Sequence, residues 1–177
     1  MSVRLVILGI LSQQPLHGYE IKHIIEDHMG DWTDIKFGSI YFALSKLAEA
    51  GDIEVVEENH SGKRPAKTIY QITSKGQTEF LRLLKKMWTE DKQTIYPFDI
   101  AIFFMNKLTK DEVEKYLKSR IEALEEKLIF LKEHKDEHQK SPYIPQQVFA
   151  IINHSYLHLE AELKWVEQLL QNLDIYW

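Results

Sequence analysis

Over its first eighty positions the chain keeps a helical apolar period three times and then switches twice to a strand period, an order few folds accept. Residues 3–12 are apolar nearly all round (Val3, Leu5, Val6, Ile7, Leu8, Ile10, Leu11), which predicts a short, buried helix stopped by Gln13-Gln14-Pro15. A second helix is predicted from about His17 to His28, with Tyr19, Ile21, Ile24 and Ile25 on its apolar side and Gly30 past its end. A third fits residues 38–50, with Ile40, Phe42, Ala43, Leu44 and Leu47 apolar and Gly51 at the stop. Then Ile53, Val55 and Val56 make one β-type run and residues 68–72 another, around a polar tip containing Gly62 and Pro65. Helix, helix, helix, hairpin is the order of a winged helix-turn-helix. Small protein-interaction domains share it.

Charge placement separates those two outcomes. The whole chain of 177 residues carries 22 Lys+Arg against 27 Asp+Glu, a balance that argues against nucleic acid at that scale. Neither half is basic, since residues 1–76 hold 8 cations and 10 acids and the remainder 14 and 17. Two windows nonetheless lack acids altogether. Ile35–Ala48 has Lys36 and Lys46, and Asn59–Thr78 has Lys63, Arg64, Lys67 and Lys75. The acids Glu49, Asp52, Glu54, Glu57 and Glu58 fall between them. Phosphate contact needs cations on the approaching surfaces and acids kept off them. Gly38 and Ser39 at a helix N-terminus add backbone donors and a hydroxyl, and Tyr41 and Ser45 lie one turn apart beyond them. The two windows coincide with the two elements a winged helix presents to DNA.

The motifs carrying these features resemble those of the PadR family of bacterial transcriptional regulators. They are Leu16-His17-Gly18-Tyr19-Glu20-Ile21, then Gly38-Ser39-Ile40-Tyr41 with Leu44 and Lys46-Leu47, then Gly51-Asp52-Ile53. Gly62-Lys63-Arg64-Pro65-Ala66-Lys67, Tyr70, Ile72-Thr73 and Gly76 follow in order, so the resemblance spans residues 3–80. Phe37 departs from it, because members often carry Pro there. The resemblance implies a homodimer that binds an inverted-repeat operator in double-stranded DNA and usually represses. It places Ser39, Tyr41, Lys63, Arg64 and Lys67 on DNA-facing positions, with Lys46 and Tyr19 facing DNA, solvent or the domain core. Some members respond to small aromatic ligands, so an aromatic effector is an implied partner. The sequence does not place its pocket, because Trp88, Phe98, Phe103, Phe104 and Tyr156 at helical spacing are more often core.

The second half reads as a dimerisation arm. A helix from Ser74 to about Asp91 is predicted to bury Phe80, Leu81, Leu84, Met87 and Trp88, and Pro97 precedes a short apolar helix over residues 100–105. Thr109 and Glu112 form a capping-box signature for a long helix ending near His138. Leu117, Ile121, Leu124, Leu128 and Leu131 run along it at spacings of 4, 3, 4 and 3. After Ser141-Pro142 a last helix carries Phe149, Ile152, Tyr156, Leu159, Leu163, Val166, Leu170 and Leu173 at alternating 3 and 4. Two such seams predict an antiparallel pair that packs against a partner, or against itself within one monomer. Leu117, Ile121, Leu124, Leu128, Tyr156, Leu159, Leu163, Val166 and Leu170 are the expected dimer residues. Ile129, Phe130, Ile151, Trp165 and Leu169 lie off the seams. The expected division is 1–91 for DNA binding and 92–177 for dimerisation, in a mainly α chain with a small β-hairpin.

Other chemistry is excluded or weak. With no cysteine there are no disulfides, thiol nucleophiles or Cys-based metal sites. The N-terminal apolar run is too short for a signal peptide and lacks its cleavage site, and no stretch is long enough to span a membrane, so a cytoplasmic protein is expected. No phosphate-binding loop or nucleophile motif is present, and no enzyme or cofactor is expected. His134/His138 and His154/His158 have the i,i+4 spacing of a zinc chelate, but read as surface and seam-adjacent histidines, so no metal is expected. The rival function is a helical adaptor whose winged unit binds protein.

Overall fold

The structure is a computed structural model that describes residues 3–30, 33–59, 67–91, 93–139 and 145–177. It divides into two units, Met1–Gln93 and Thr94–Trp177.

Unit 1 runs α1 (Val3–Leu11), β1 (Leu16–His17), α2 (Gly18–Met29), α3 (Phe37–Glu49), β2 (Ile53–Asn59), β3 (Lys67–Ile72) and α4 (Ser74–Thr89). The three predicted helices meet in one core, where Ile7, Leu8 and Leu11 of α1 pack with Ile21 and Ile25 of α2 and Ile40, Leu44 and Leu47 of α3. Burying each such side chain contributes roughly 1.5–3 kcal/mol, which outweighs the modest intrinsic helicity of segments this short. The hairpin gains a third strand that the sequence reading missed. The sheet order is β1-β3-β2, all antiparallel, with Leu16 opposite Tyr70 and His17 opposite Ile69. Two residues are too few to show a strand period, and the pairing depends on partners more than fifty positions away. A register shift between Val55 and Glu57 bends the wing.

An ion pair locks the sheet to the helices. Asp52 is only 2% exposed, and its carboxylate accepts from the Arg4 guanidinium of α1 at 2.9 Å. It is therefore an internal strut rather than one of a block of surface acids. Its carbonyl accepts from the Thr73 N–H and hydroxyl, and the same hydroxyl oxygen caps α4 by accepting from the Gly76 N–H at 3.1 Å. Beyond that cap α4 departs from expectation. Of the residues assigned to its apolar side only Phe80 packs on the core, joined by Leu83, while Leu81, Leu84, Met87 and Trp88 are exposed, Trp88 at 85%.

Unit 2 comprises α5 (Phe98–Phe103), a 3-10 turn (Met105–Lys107), α6 (Lys110–Gln139), α7 (Gln146–Gln171) and a final 3-10 turn (Leu173–Tyr176). The capping box closes as predicted: the Glu112 carboxylate accepts from the Thr109 N–H at 2.8 Å while Thr109 Oγ1 accepts from the Glu112 N–H. That backbone hydrogen bond holds the Glu112 carboxyl below its usual range. Pairs Arg120–Glu162 and Lys110–Asp174 fix α6 and α7 as antiparallel, since the partner number falls as the first rises. Ser141 and Pro142 lie outside the described residues.

The seams need one correction. Leu117, Leu124 and Val166, expected at a dimer contact, are buried in the chain's own α6–α7 core together with Leu169, which had been placed off the seam. Val166 is 0% exposed, so a charge there would break the unit's fold and not merely an association. The two seams satisfy each other first because an intrachain pair pays no cost of bringing separate molecules together.

Candidate nucleic-acid interface

The face of unit 1 that could meet nucleic acid is built by α2, α3 and the β2–β3 wing. Lys36 precedes α3 in extended conformation, and its carbonyl accepts both the Ser39 N–H at 2.9 Å and the Ser39 hydroxyl at 2.6 Å. The Ser39 hydroxyl thus braces the helix start, and it can donate to a phosphate only by turning away from the Lys36 carbonyl. Gly38 is exposed, and a Cβ there would meet nothing within 4 Å.

Aromatic rings surround this helix start. Tyr41 is part-exposed, its ring 5.1 Å from that of Phe37 and close enough to Gly18 that a Cβ on Gly18 would lie 3.2 Å away. The glycine of the Leu16–Ile21 motif thereby lets α2 and α3 meet and holds the Tyr41 ring. Tyr19 on α2 is also part-exposed, stacked on His17 at 5.4 Å and edge-on to His23. Phe42, assigned by its period to the core side, is instead 67% exposed, and the Lys46 ammonium lies 5.9 Å from its ring centre. Phe37 is likewise exposed under the Lys22 ammonium at 4.8 Å. From sequence Phe42 reads as a core-side residue and Phe37 only as a departure from the family pattern, because an aromatic at helical spacing looks the same on a core face and on a binding face.

Lys46 is not held ready for a phosphate. Its ammonium donates to Glu49 at 2.6 Å, and this hydrogen bond, with the attraction between the two charges, keeps the Glu49 carboxyl below its ordinary range. Glu49→Gln is expected to release Lys46 and tighten binding of a duplex by roughly three- to tenfold at low salt. Fluorescence anisotropy measures this, and an unchanged affinity would place Lys46 off the DNA. On the wing, the β3 backbone at Lys67 pairs with Asn59. Lys63 and Arg64 lie outside the described residues.

Unit 2 holds a cleft of about 820 Å³, lined by Tyr96, Phe98, Arg120, His158 and Trp165 among others. The Phe98 and Trp165 rings meet edge to face at 5.9 Å, and the Arg120 guanidinium lies 4.0 Å over Phe98 while donating to Glu162 at 2.7 Å. Of the aromatic residues weighed from sequence, only Phe98 is among those lining it. Arg120 carried no sequence signal, being one cation on a charged helix. No helix among the described residues is long and apolar enough to cross a membrane.

Comparison with known proteins gives consistent results. Residues 7–82 match the family described as "Transcriptional regulator PadR-like family". The "Negative transcriptional regulator PadR" of Bacillus subtilis (strain 168) is 25% identical over 126 residues, 71% of this chain and 69% of that protein. The crystal structure of Bacillus subtilis PadR in complex with operator DNA aligns with a TM-score of 0.78 at 21% identity, covering 95% of this chain and 97% of that one. The same protein has also been solved in complex with p-coumaric acid, with a TM-score of 0.77 at 19% identity over 97% and 95% of the two chains. The protein smu.1604c from Streptococcus mutans UA159 is 30% identical with a TM-score of 0.72 over 97% and 99% of the two chains. The Vibrio cholerae virulence activator AphA aligns at 0.77 and 18% identity over 99% and 100%. Where identity is under 25%, the likeness is one of fold.

Proposed function

Because this chain belongs to the PadR-like family of transcriptional regulators, we propose that it represses as a homodimer on an inverted-repeat operator and is released by a small aromatic effector. The observation that carries the DNA contact is the acid-free first half of α3, where Gly38, Ser39 and Tyr41 stand at an exposed helix start. There the backbone donors and helix dipole favour phosphate. Lys63, Arg64 and Lys67 on the wing supply the cations, and Lys46 joins once Glu49 releases it. Tyr19 borders this face on α2. Family membership does not favour the adaptor reading, and it is a family of regulators, not of enzymes.

Repression rests on the Bacillus subtilis relative, which is named a negative regulator. Support for an aromatic effector comes from that protein's complex with p-coumaric acid and from the unit 2 cleft. Phe98 and Trp165 line it with aromatic surface, and Arg120, which donates through Nε and one terminal nitrogen to Glu162 of the same lining, would have to share or exchange that partner to take a ligand carboxylate.

Dimerisation is supported by apolar surface that a single chain leaves uncovered. Phe103 is 78% exposed on α5, and Ile129, Phe130 and Leu157 are exposed on α6 and α7. Ile121, Leu159, Leu163 and Leu170 pack against the intrachain α6–α7 core, and with the part-buried Leu128 and Tyr156 they are the expected dimer residues left to border this surface. Phe130→Glu is expected to leave helix content and melting nearly unchanged while reducing the sedimenting mass to one chain. Operator affinity should fall with it, because two half-sites are then no longer bound as one event. A dimer of unchanged mass would remove this surface from the interface.

Footprinting on the chain's own promoter region tests the whole reading. Protection of two half-sites about one helical turn apart, relieved by an aromatic carboxylate, is expected. A single protected segment indifferent to such acids would contradict it.

A further inference from the structure

One pair of side chains on α7 lies outside the α6–α7 core. His154 and His158 are one turn apart, both exposed, with ring centres 4.5 Å apart and Nε2 atoms at 3.1 Å. We propose that these two nitrogens form a binding site for a divalent transition-metal ion of the zinc, nickel or copper type.

The geometry is close to that of a chelate. Two imidazole nitrogens, each about 2.0–2.1 Å from a tetrahedral zinc, stand about 3.3 Å from one another, so the rings need to open by only a few tenths of an ångström. Without an ion the contact works only if one Nε2 carries the proton and the other accepts it. When the ion enters, the donor ring shifts that proton to its Nδ1, and both Nε2 lone pairs then face the metal with no net change in protonation. Imidazole donors suit zinc, nickel and copper, whereas magnesium and calcium require oxygen ligands. Exposure leaves the ion a free approach, and the helix fixes the pair's spacing in advance, so little ordering entropy opposes binding.

The rest of the sequence around the pair indicates what such an ion does. Residue 155, where helical zinc hydrolases with the H-E-x-x-H pattern carry their general base, is Ser155, so the site binds without hydrolysing. Among the described residues no third His, Asp or Glu completes a ligand set. The remaining coordination positions therefore belong to water or a small ligand. His158 also lines the unit 2 cleft, which puts the ion at that cleft's rim. The site depends on α7 alone and stands or falls independently of the DNA-binding reading.

Calorimetric titration of the full-length, tag-free protein with nickel or zinc chloride tests it. One ion per chain with micromolar affinity is expected. His154→Gln and His158→Gln should each weaken binding by more than about tenfold, since disturbing even a supporting residue around a metal has effects of that order. Both variants should melt as the parent does, because the rings are exposed. His134→Gln, on α6, should bind as the parent. Absence of saturable binding, unchanged affinity in either α7 variant, or loss of binding in His134→Gln would overturn the proposal.

Discussion

Replacing Gly76 with alanine is expected to lower the stability of unit 1 by about 3 kcal/mol or more, and its melting point by roughly 10–20 °C. A Cβ at this position would lie 1.9 Å from the Asp52 carbonyl oxygen and 2.8 Å from its carbon. Those atoms are backbone and cannot step aside cheaply. The carbonyl accepts from the Thr73 N–H and shares the Thr73 hydroxyl proton with the Gly51 carbonyl, and its residue is anchored through its carboxylate to Arg4. Relief would require withdrawing α4 from the sheet. That breaks the Thr73 cap, a further loss of about 1 kcal/mol. Because the movement acts where β2 leaves α3, operator binding should be lost at the same lowered temperature as the fold. Gly38→Ala provides the contrast, with open space around its Cβ. It should raise stability by up to about 1 kcal/mol, yet weaken operator binding if a phosphate approaches the backbone there. Equal melting points for Gly76→Ala and the parent would show the junction to be wrong.

The double substitution Lys63→Ala/Arg64→Ala is expected to have the largest effect on DNA binding without loss of fold. Each phosphate contact contributes about 0.9 to the slope of log affinity against log salt, so removing two should make that slope shallower by roughly two. At low salt the affinity should drop by about one to two orders of magnitude, for operator and random duplex alike, because phosphate contacts carry no sequence information. Tyr41→Ala, on the α3 face, should instead lower preference for the operator more than it lowers the salt slope. An unaltered slope in the double variant would take the wing off the DNA.

How much of this was legible in the sequence depended on how local the signal was. The helices of unit 1 and both wing strands follow from apolar period and from Gly and Pro stops. The Thr109–Glu112 cap was readable because its two partners are three positions apart. Three features were not. β1 exists only because Leu16 and His17 pair with Tyr70 and Ile69. Asp52 looked like one acid among five, and only the fold brings Arg4, forty-eight positions away, against it. A 3–4 spacing likewise shows that a stripe is apolar but not which neighbour covers it: Val166 and Leu169 of α7 lie in the intrachain core, while Trp88 of α4 and Phe42 of α3 are exposed. Net charge was uninformative for DNA binding because the acids sit between the two acid-free windows, and one of them is buried.

Recognition of a particular DNA sequence by this acidic chain, through α3 and the wing, is tested most directly by equilibrium binding to a duplex from its own promoter region, in competition with random duplex over a range of salt concentrations. A preference of at least about a thousandfold at physiological salt is predicted, together with affinity for both duplexes that falls steeply as salt rises. Equal affinity for the two duplexes, or binding indifferent to salt, would contradict it.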